Sequence, residues 1–260
     1  MRIIASIIIS CTLIIILSSC RTSTKTKDNH LSINYTDTTI VLLNVDTLNK
    51  SEIAGIIKYL SDNNVSLIAL NVSFEETDKS DSVLVNQIKA SQSKIVASCD
   101  LELDNVDVNS YYKFLEFGPA VLYTDKLGIV TNFSFLYQTE NNKWVESFYL
   151  KILKSTREDI YDKYHADSNT YKINFLGNRH SFLNVHHSQL NNTISSAWKD
   201  KIVLLGYLGP KETTMFPVDD DIDAFFTPTS RFNVPQNKPN MYGTVITANI
   251  ISWLINSRDK

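Results

Sequence analysis

Four carboxylates stand within five residues of this chain, at Asp219, Asp220, Asp221 and Asp223. Clustered carboxylate oxygens are the hard ligands that Ca²⁺ prefers, which makes the segment a candidate calcium loop. The EF-hand spacing and its glycine are missing, and a solvated acidic loop is the alternative that the sequence leaves open. Asp223 also precedes the run Phe225-Phe-Thr-Pro228, so it either serves a binding site or caps the turn before the proline.

Other reactive side chains form no recognisable catalytic or cofactor motif. Gly206 and Gly209 follow an apolar run, but the Pro-Lys pair after them supplies neither the helix nor the lysine of a phosphate-binding loop. The adjacent His186 and His187 would point to opposite faces of a strand, and no Cys/His ladder accompanies them. No Gly-x-Ser-x-Gly elbow is present either. We therefore predict no metal, no cofactor and no enzymatic activity.

The composition argues against nucleic acid as a partner. The 260 residues carry 25 Lys and Arg against 28 Asp and Glu, a formal net charge of −3. The basic residues are scattered and form no stripe that could follow a phosphate backbone. With 43% hydrophobic residues the chain is able to bury a large core. Cys99, at the end of an apolar run, is expected to act as a small hydrophobe.

The first 20 residues predict export and attachment to lipid. An apolar run over residues 3–17 would rise only about 22 Å as a helix, less than a bilayer core of about 30 Å. This length suits a signal peptide. The run ends in Leu17-Ser-Ser-Cys20, which resembles the lipobox of bacterial lipoproteins, with Cys20 as the acylated residue. A plain secretion signal and an uncleaved anchor are the alternatives.

Three regions follow from this reading. Residues 1–19 are predicted to be a lipoprotein signal peptide. Residues 20–38 are predicted to be a flexible tether, because Ser, Thr, Lys and Asn dominate them. Residues 39–257 are predicted to form one folded sensor domain.

The order of apolar segments within that domain predicts an α/β fold. Strands over 40–46, 65–72 and 94–99 alternate with two helices, the first marked by a capping pair, Asn49 and Glu52. The second helix is expected to bury four apolar side chains, those of Val83, Leu84, Ile88 and Ala90.

A further continuous apolar run, Ile202 to Leu205, is typical of a strand covered on both faces of a parallel sheet. In the aromatic-rich middle, Gly118-Pro119 predicts a turn, and alternating Phe133, Phe135 and Tyr137 predict a hairpin. Helices are expected over 147–153, 190–198 and 241–255. We predict a three-layer sandwich with a mostly parallel sheet, helices on both faces and a β-rich insertion in the middle.

Three stretches together carry a family resemblance. They are Lys199-Asp-Lys-Ile-Val-Leu-Leu-Gly-Tyr-Leu-Gly209, Asp223-Ala-Phe-Phe-Thr-Pro228 and Met241-Tyr-Gly-Thr-Val-Ile-Thr-Ala-Asn-Ile-Ile251. They resemble the end of the second type of CHASE domain, the extracytoplasmic sensor family of bacterial histidine kinases, cyclases and related receptors. Tyr242 and Thr247 stand where that family usually has Pro and His. Asp46 matches a family acidic position, whereas Asn44 and Asn71 replace aspartates, which weakens an ion-binding role.

The resemblance implies an extracytoplasmic binding module that senses a small ligand or contacts an envelope signalling protein. Ligands of open α/β sheets bind outside the carboxyl ends of the strands. We therefore expect a ligand-binding pocket there, framed by Asp46, Asn71, Glu75, Gly206, Asp223 and Thr227.

Many members of the family continue into a membrane span and a transmitter, whereas this sequence ends at Lys260. The module is thus expected to lack a transmitter of its own and to act through a partner. Lipid on Cys20 would hold it in the bacterial cell envelope, on a periplasmic or extracellular face. The alternative is an envelope hydrolase that uses Asp46 and Asp223 as a carboxylate pair.

Overall fold

A six-stranded sheet, with every neighbouring pair parallel, organises the fold. The computed structural model describes residues 37–45, 48–72, 80–99, 112, 114–209, 223–228 and 239–256. Numbered in chain order, the strands lie from edge to edge as β10 (Phe182–His186), β1 (Asp37–Asn44), β11 (Ile202–Gly206), β2 (Leu67–Asn71), β3 (Lys94–Cys99) and β4 (Glu116–Pro119).

Strand β11 is the buried strand that its apolar run predicts. All five of its residues are buried, because helices cover both faces of the sheet. It pairs with β1 on one side and β2 on the other, so that Gly206 lies level with Asn44 and Asn71. The three strands therefore end at the same height.

Two helices cover one face, α1 (Lys50–Asp62) and α2 (Asp81–Ala90). The predicted capping box starts α1, since Glu52 N donates to Asn49 Oδ1 at 3.0 Å and Asn49 N donates to Glu52 Oε2 at 2.9 Å. The apolar face of α1, Ile53 to Leu60, is buried as expected.

The predicted buried face of α2 is partly wrong. Val83 is 48% exposed and Ala90 is exposed, whereas Val85 is buried beside Leu84 and Ile88. The helix begins at Asp81, whose side chain is buried. The buried positions then follow at i+3, i+4 and i+7 from that residue, which turns Val83 to solvent.

The opposite face carries α3 (Phe148–Thr156) and α5 (Gly243–Asn256), with the short α4 (Glu158–Tyr164) beside α3. Ser147 caps α3, and its hydroxyl accepts from Leu150 N at 3.4 Å. Both longer helices match the predicted segments.

Helices α3 and α5 run antiparallel to the sheet strands. Lys94 at the start of β3 donates to the carbonyl of Ser155, near the end of α3, at 2.9 Å. Ser252 in the last turns of α5 donates to Asp37 at the start of β1 at 2.6 Å. The N-terminal turns of both helices therefore lie at the carboxyl edge of the sheet, the edge at which its strands end.

The predicted β-rich insertion is present. Strands β5 (Leu122–Thr124), β6 (Val130–Ser134) and β9 (Thr170–Lys172) form an antiparallel sheet, and β7 (Leu136–Gln138) and β8 (Trp144–Glu146) form the expected hairpin. A small ribbon pairs β12 (Ala224–Phe225) with β13 (Met241–Tyr242).

Two predictions about local structure are wrong. Gly118 and Pro119 form no turn but end β4, an edge strand that tolerates proline. Gly118 is needed there because a Cβ atom would lie 2.6 Å from the backbone nitrogen of Phe148. The helix expected over 190–198 is instead a pair of short 3₁₀ helices, His187–Asn192 and Ser195–Ala197.

Candidate ligand site at the carboxyl edge of the sheet

Three polar or small residues lie side by side where the central strands end. Gly206 of β11 stands in register between Asn44 of β1 and Asn71 of β2. Two of the predicted site residues, Asn71 and Gly206, are thus neighbours. Asn44, which stands where the family resemblance has an aspartate, lies beside them.

The first turn of α5 packs directly on this row. Asn71 donates from Nδ2 to Thr244 Oγ1 at 2.9 Å. A Cβ atom on Gly206 would overlap the Thr244 hydroxyl and lie 3.1 Å from the carbonyl oxygen of Asn71. The glycine therefore permits the close approach of α5 and β11. This packing role explains the glycine without a phosphate-binding loop.

Asp223 meets the same turn from the other side. Its carbonyl accepts from Gly243 N at 2.9 Å, and its carboxylate occupies the space that a side chain at Gly243 would need. Asp223 is half-buried and has a positive φ of 50°, an uncommon backbone conformation. A carboxylate at a helix N-terminus is stabilised by the helix dipole by about 0.3–1 kcal/mol. This geometry suits a cap and a binding group alike.

Thr227 is fully buried and holds the same loop. Its backbone N–H donates to Asn240 Oδ1 at 2.7 Å, and its hydroxyl accepts from Asn240 Nδ2 at 2.8 Å. These two bonds tie residues 223–228 to the approach of β13. The remaining predicted site residues, Asp46 and Glu75, lie outside the described residues, as does Cys20.

Asn44 fixes the loop that follows β11. Its side chain donates to the carbonyl of Gly209 at 2.6 Å and accepts from Leu208 N at 3.1 Å. Arg179 reaches the same loop and donates to the carbonyl of Leu208 at 2.9 Å. Burial lowers the pKa of Arg179, and partial burial together with this adjacent charge lowers the pKa of His180.

A buried phenol lies close to Asp223. Tyr149, in the first turn of α3, is 0% exposed. Burial, and secondarily the negative charge of Asp223, raise the pKa of Tyr149, so the phenol is neutral at physiological pH. The side chain of Thr247 in α5 also lies near the phenol. No local sequence signal predicts this group, because the two helices are far apart in the chain.

A second polar cluster on the α1–α2 face was also missed. Lys50 Nζ and Asp81 Oδ1 form a buried ion pair at 2.7 Å, and the Tyr112 hydroxyl donates to the same oxygen at 2.6 Å. The cluster joins the first turns of α1 and α2. A capping pair at Asn49 and Glu52 predicts the start of α1, but no local signal predicts this link across two helices.

Metal binding gains no support from the described residues. Within them, no group of three or more His, Cys, Asp and Glu side chains is arranged to hold an ion. The rings of His186 and His187 lie 4.2 Å apart, which corrects the expectation that they point to opposite faces. Strand β10 ends at His186, so strand alternation no longer applies to the next residue. Residues 219–222 of the acidic loop lie outside the described residues.

The fold and the polar carboxyl edge define a three-layer α/β module with its candidate site at the strand ends. The family model for the CHASE2 domain matches residues 17–260, and the chain therefore belongs to the CHASE2 family. This confirms the resemblance found in the sequence. CHASE2 domains are extracytoplasmic sensor domains and not an enzyme family. No curated protein and no solved structure matches the chain.

Among the residues that the structure describes, no helix combines the length and the apolar character that a bilayer span requires.

Proposed function

We propose that this CHASE2 domain is a lipid-anchored sensor that binds a small ligand at the carboxyl edge of its sheet and signals through another envelope protein. The observation that carries the proposal is the convergence of Asn71, Gly206 and Asp223 on the first turn of α5. Strand ends and helix N-termini meet there, which is where open α/β sheets bind ligands. The proposed site includes Asp46, Glu75 and Thr227 as well.

The proposed mechanism is differential binding to two arrangements of α5. A ligand that replaces the bond between Asn71 and Thr244, or that engages Asp223, favours an arrangement with a displaced first turn. A ligand shifts such an equilibrium only by the difference between its affinities for the two states. Helix α5 has 14 residues and so spans about 21 Å, which links the site to the amino edge of the sheet, where β1 begins.

Lipid on Cys20 is the proposed anchor. It rests on the Leu-Ser-Ser-Cys ending of the first apolar run. Mass spectrometry of the membrane fraction should find a mature N-terminus at Cys20 that carries acyl chains. Detection of an intact, unacylated N-terminus would disprove this part of the proposal, and Cys20→Ala should be unprocessed or released.

The site itself is tested by capture from the native envelope. Wild-type protein, Asn71→Ala and Asp223→Asn are crosslinked in place, and the bound small molecules and proteins are identified by mass spectrometry. Asp62→Asn is the matched control, because Asp62 lies exposed on α1 in an i, i+4 pair with Lys58. We expect capture to fall for the two site variants and to be unchanged for the control. Equal capture by all four proteins would contradict the proposal.

A further inference from the structure

An open groove of about 600 Å³ lies between α1 and α2, on the outer side of this helical layer. Its lining residues are spaced i, i+3, i+4 and i+7 in each helix, starting at Ser51 in α1 and at Val83 in α2. Each helix thus turns one complete stripe towards the groove. Two such layers placed face to face would form a four-helix bundle with the stripes at its centre.

Gly55 stands at the middle of the α1 side of this groove. It is exposed, and apart from its own helix nothing lies within 4 Å of the place where its Cβ atom would be. Glycine is less favourable than alanine inside a helix, and here neither a positive φ nor packing within the chain requires it. A backbone that approaches α1 closely from another molecule would require it.

The charges on α1 are complementary to themselves about Gly55. A two-fold axis that runs across the helices at this level makes the two copies of α1 antiparallel. Glu52 then faces the partner's Lys58, and Lys58 faces the partner's Glu52, because both residues lie three positions from Gly55. Both side chains are exposed, and the 2.7 Å pair of Lys58 with Asp62 in its own chain is a surface pair that leaves the ammonium 64% exposed.

The apolar residues of α2 match across the same axis. Val83, which is 48% exposed, comes opposite the partner's Ala90, which is also exposed. A large side chain thus meets a small one at both ends of the contact, as well-packed layers require. The exposed Val83, which an isolated chain leaves in water, gains a covered position.

The size of the groove indicates a weak dimer. Helices α1 and α2 have 13 and 10 residues, and they are therefore about 20 and 15 Å long. Together they cover about 400 Å² of each copy, roughly half of the 800 Å² per partner in a standard interface.

We propose that the α1–α2 groove is a homodimer interface, in which two copies of this chain pack α1 against α1 and α2 against α2 about a two-fold axis at Gly55. The inference goes beyond the proposed function, because no residue of the proposed ligand site lines the groove.

The first test is cysteine crosslinking of the purified full chain with a short bismaleimide. Gly55→Cys places a thiol beside its own copy at the axis, and the new side chain has open space in its own fold. Asp162→Cys, exposed on α4 at the opposite face of the sheet, is the matched control, and the wild type reports its native cysteines. Over about 1 µM to 1 mM protein, the range of weak association, we expect at least tenfold more crosslinked dimer for Gly55→Cys. Equal yields for Gly55→Cys and Asp162→Cys would overturn the proposal.

The second test reverses the charges in the Gly55→Cys background. Lys58→Glu and Glu52→Lys each set like charges opposite each other in a pure sample, whereas a mixture of the two variants restores opposite charges at both contacts. We expect the dimer yield to fall at least threefold in each pure sample and to recover in the mixture. Glu52→Lys also removes the carboxylate that accepts from Asn49 N, but a weakened helix cap would not recover on mixing. Unchanged yields in the pure samples, or a loss that mixing does not recover, would overturn the proposal.

Crosslinking in the native envelope distinguishes a second copy from another occupant. We expect the product of Gly55→Cys to have twice the mass of the chain. A product that joins the chain to a different protein, in place of this dimer, would assign the groove to that protein and overturn the proposal.

Discussion

The two ends of α5 use polar groups in opposite ways. At its C-terminal end the buried carboxylate of Asp37, 4% exposed, accepts from the backbone and hydroxyl of Thr39, each at 2.6 Å. It also accepts from the Ser252 hydroxyl at 2.6 Å and from Asn256 Nδ2 at 2.8 Å. Four donors thus surround one carboxylate, and this contact fixes the end of the helix to the start of β1.

At its N-terminal end the helix meets strained and crowded groups. Asp223 has a positive φ, and Gly206 and Gly243 leave no room for a side chain. Backbone strain persists where the surrounding fold maintains it, and strained residues cluster at binding sites. Hydrogen bonds to one carboxylate thus fix the C-terminal end of α5, whereas backbone strain and close packing mark its N-terminal end, where the ligand site is proposed.

The largest expected effect is at the stable end. Asp37→Ala leaves Ser252, Asn256 and Thr39 without their acceptor, and we expect the free energy of unfolding to fall by about 2–4 kcal/mol. Asp37→Asn keeps an acceptor oxygen and should cost less. Urea denaturation of both variants measures the loss. The two ends of α5 would not differ in role if Asp37→Ala lowered the free energy of unfolding no more than the surface control Asp62→Asn. The same conclusion would follow if Asp37→Ala weakened ligand capture per folded molecule.

A smaller effect is expected where α5 crowds the sheet. Gly206→Ala introduces a methyl group against Thr244 and should cost about 1–3 kcal/mol, the usual range for overpacking. Thr244→Ala removes the hydroxyl that the methyl group meets, so the double variant should recover most of that loss. A double-mutant cycle by urea denaturation measures the coupling. If the losses in the free energy of unfolding of the two single variants were additive, the contact with Thr244 would not be the reason why residue 206 must be glycine.

Acid should weaken the stable end of α5 selectively. Burial alone would raise the pKa of Asp37, but hydrogen bonds from Ser252, Thr39 and Asn256 hold it below the ordinary value of 3.8. A depressed pKa in the folded state contributes stability above the unfolded pKa, and this stability is lost as the pH falls through the folded value. Below about pH 4, wild-type stability should therefore fall more steeply than that of Asp37→Asn. Parallel curves from pH 6 to pH 2 would exclude Asp37 as the cause.

The smallest expected effect on stability is at Asp223. If its half-buried carboxylate serves binding, Asp223→Asn and Asp223→Ala should both change the free energy of unfolding by no more than about 0.5 kcal/mol, while capture falls markedly. If it serves as a helix cap, Asp223→Ala should cost about 0.5–2 kcal/mol. Melting curves beside the capture assay separate the two roles. A destabilised Ala variant with unchanged capture per folded molecule would leave Asp223 structural.

What the sequence predicts well is local. The capping pair at Asn49 and Glu52 and the apolar spacing behind it predict α1, because both signals lie within one segment. The continuous run at Ile202 predicts β11 for the same reason. Gly118-Pro119 shows where prediction from local sequence fails, because the same dipeptide occurs both in turns and in edge strands. Only the close approach of Gly118 to the backbone of Phe148 distinguishes the two.

What the sequence does not predict depends on contacts between distant segments. Asn249 belongs to the family motif, but its side-chain Oδ1 accepts from Leu176 N at 2.6 Å and from Gly177 N at 3.0 Å, and these donors lie 73 and 72 positions away in the chain. Asp37 and Ser252 are 215 positions apart. Strand β10 is short, with only Phe182 and Val185 buried, and its place at the sheet edge is set by β1 rather than by its own composition.

The contact between Asp37 and Asn256 has a consequence for chain connectivity. Because these side chains are bonded at 2.8 Å, a short linker could join residue 256 to residue 37 without crossing the fold. New termini opened in the exposed turn at residues 139–143, between β7 and β8, would then give a circular permutant with the same order of strands in the sheet. The same proximity would allow this domain to be inserted into a surface loop of a host protein, because its two junctions with the host, at residues 37 and 256, would lie next to each other.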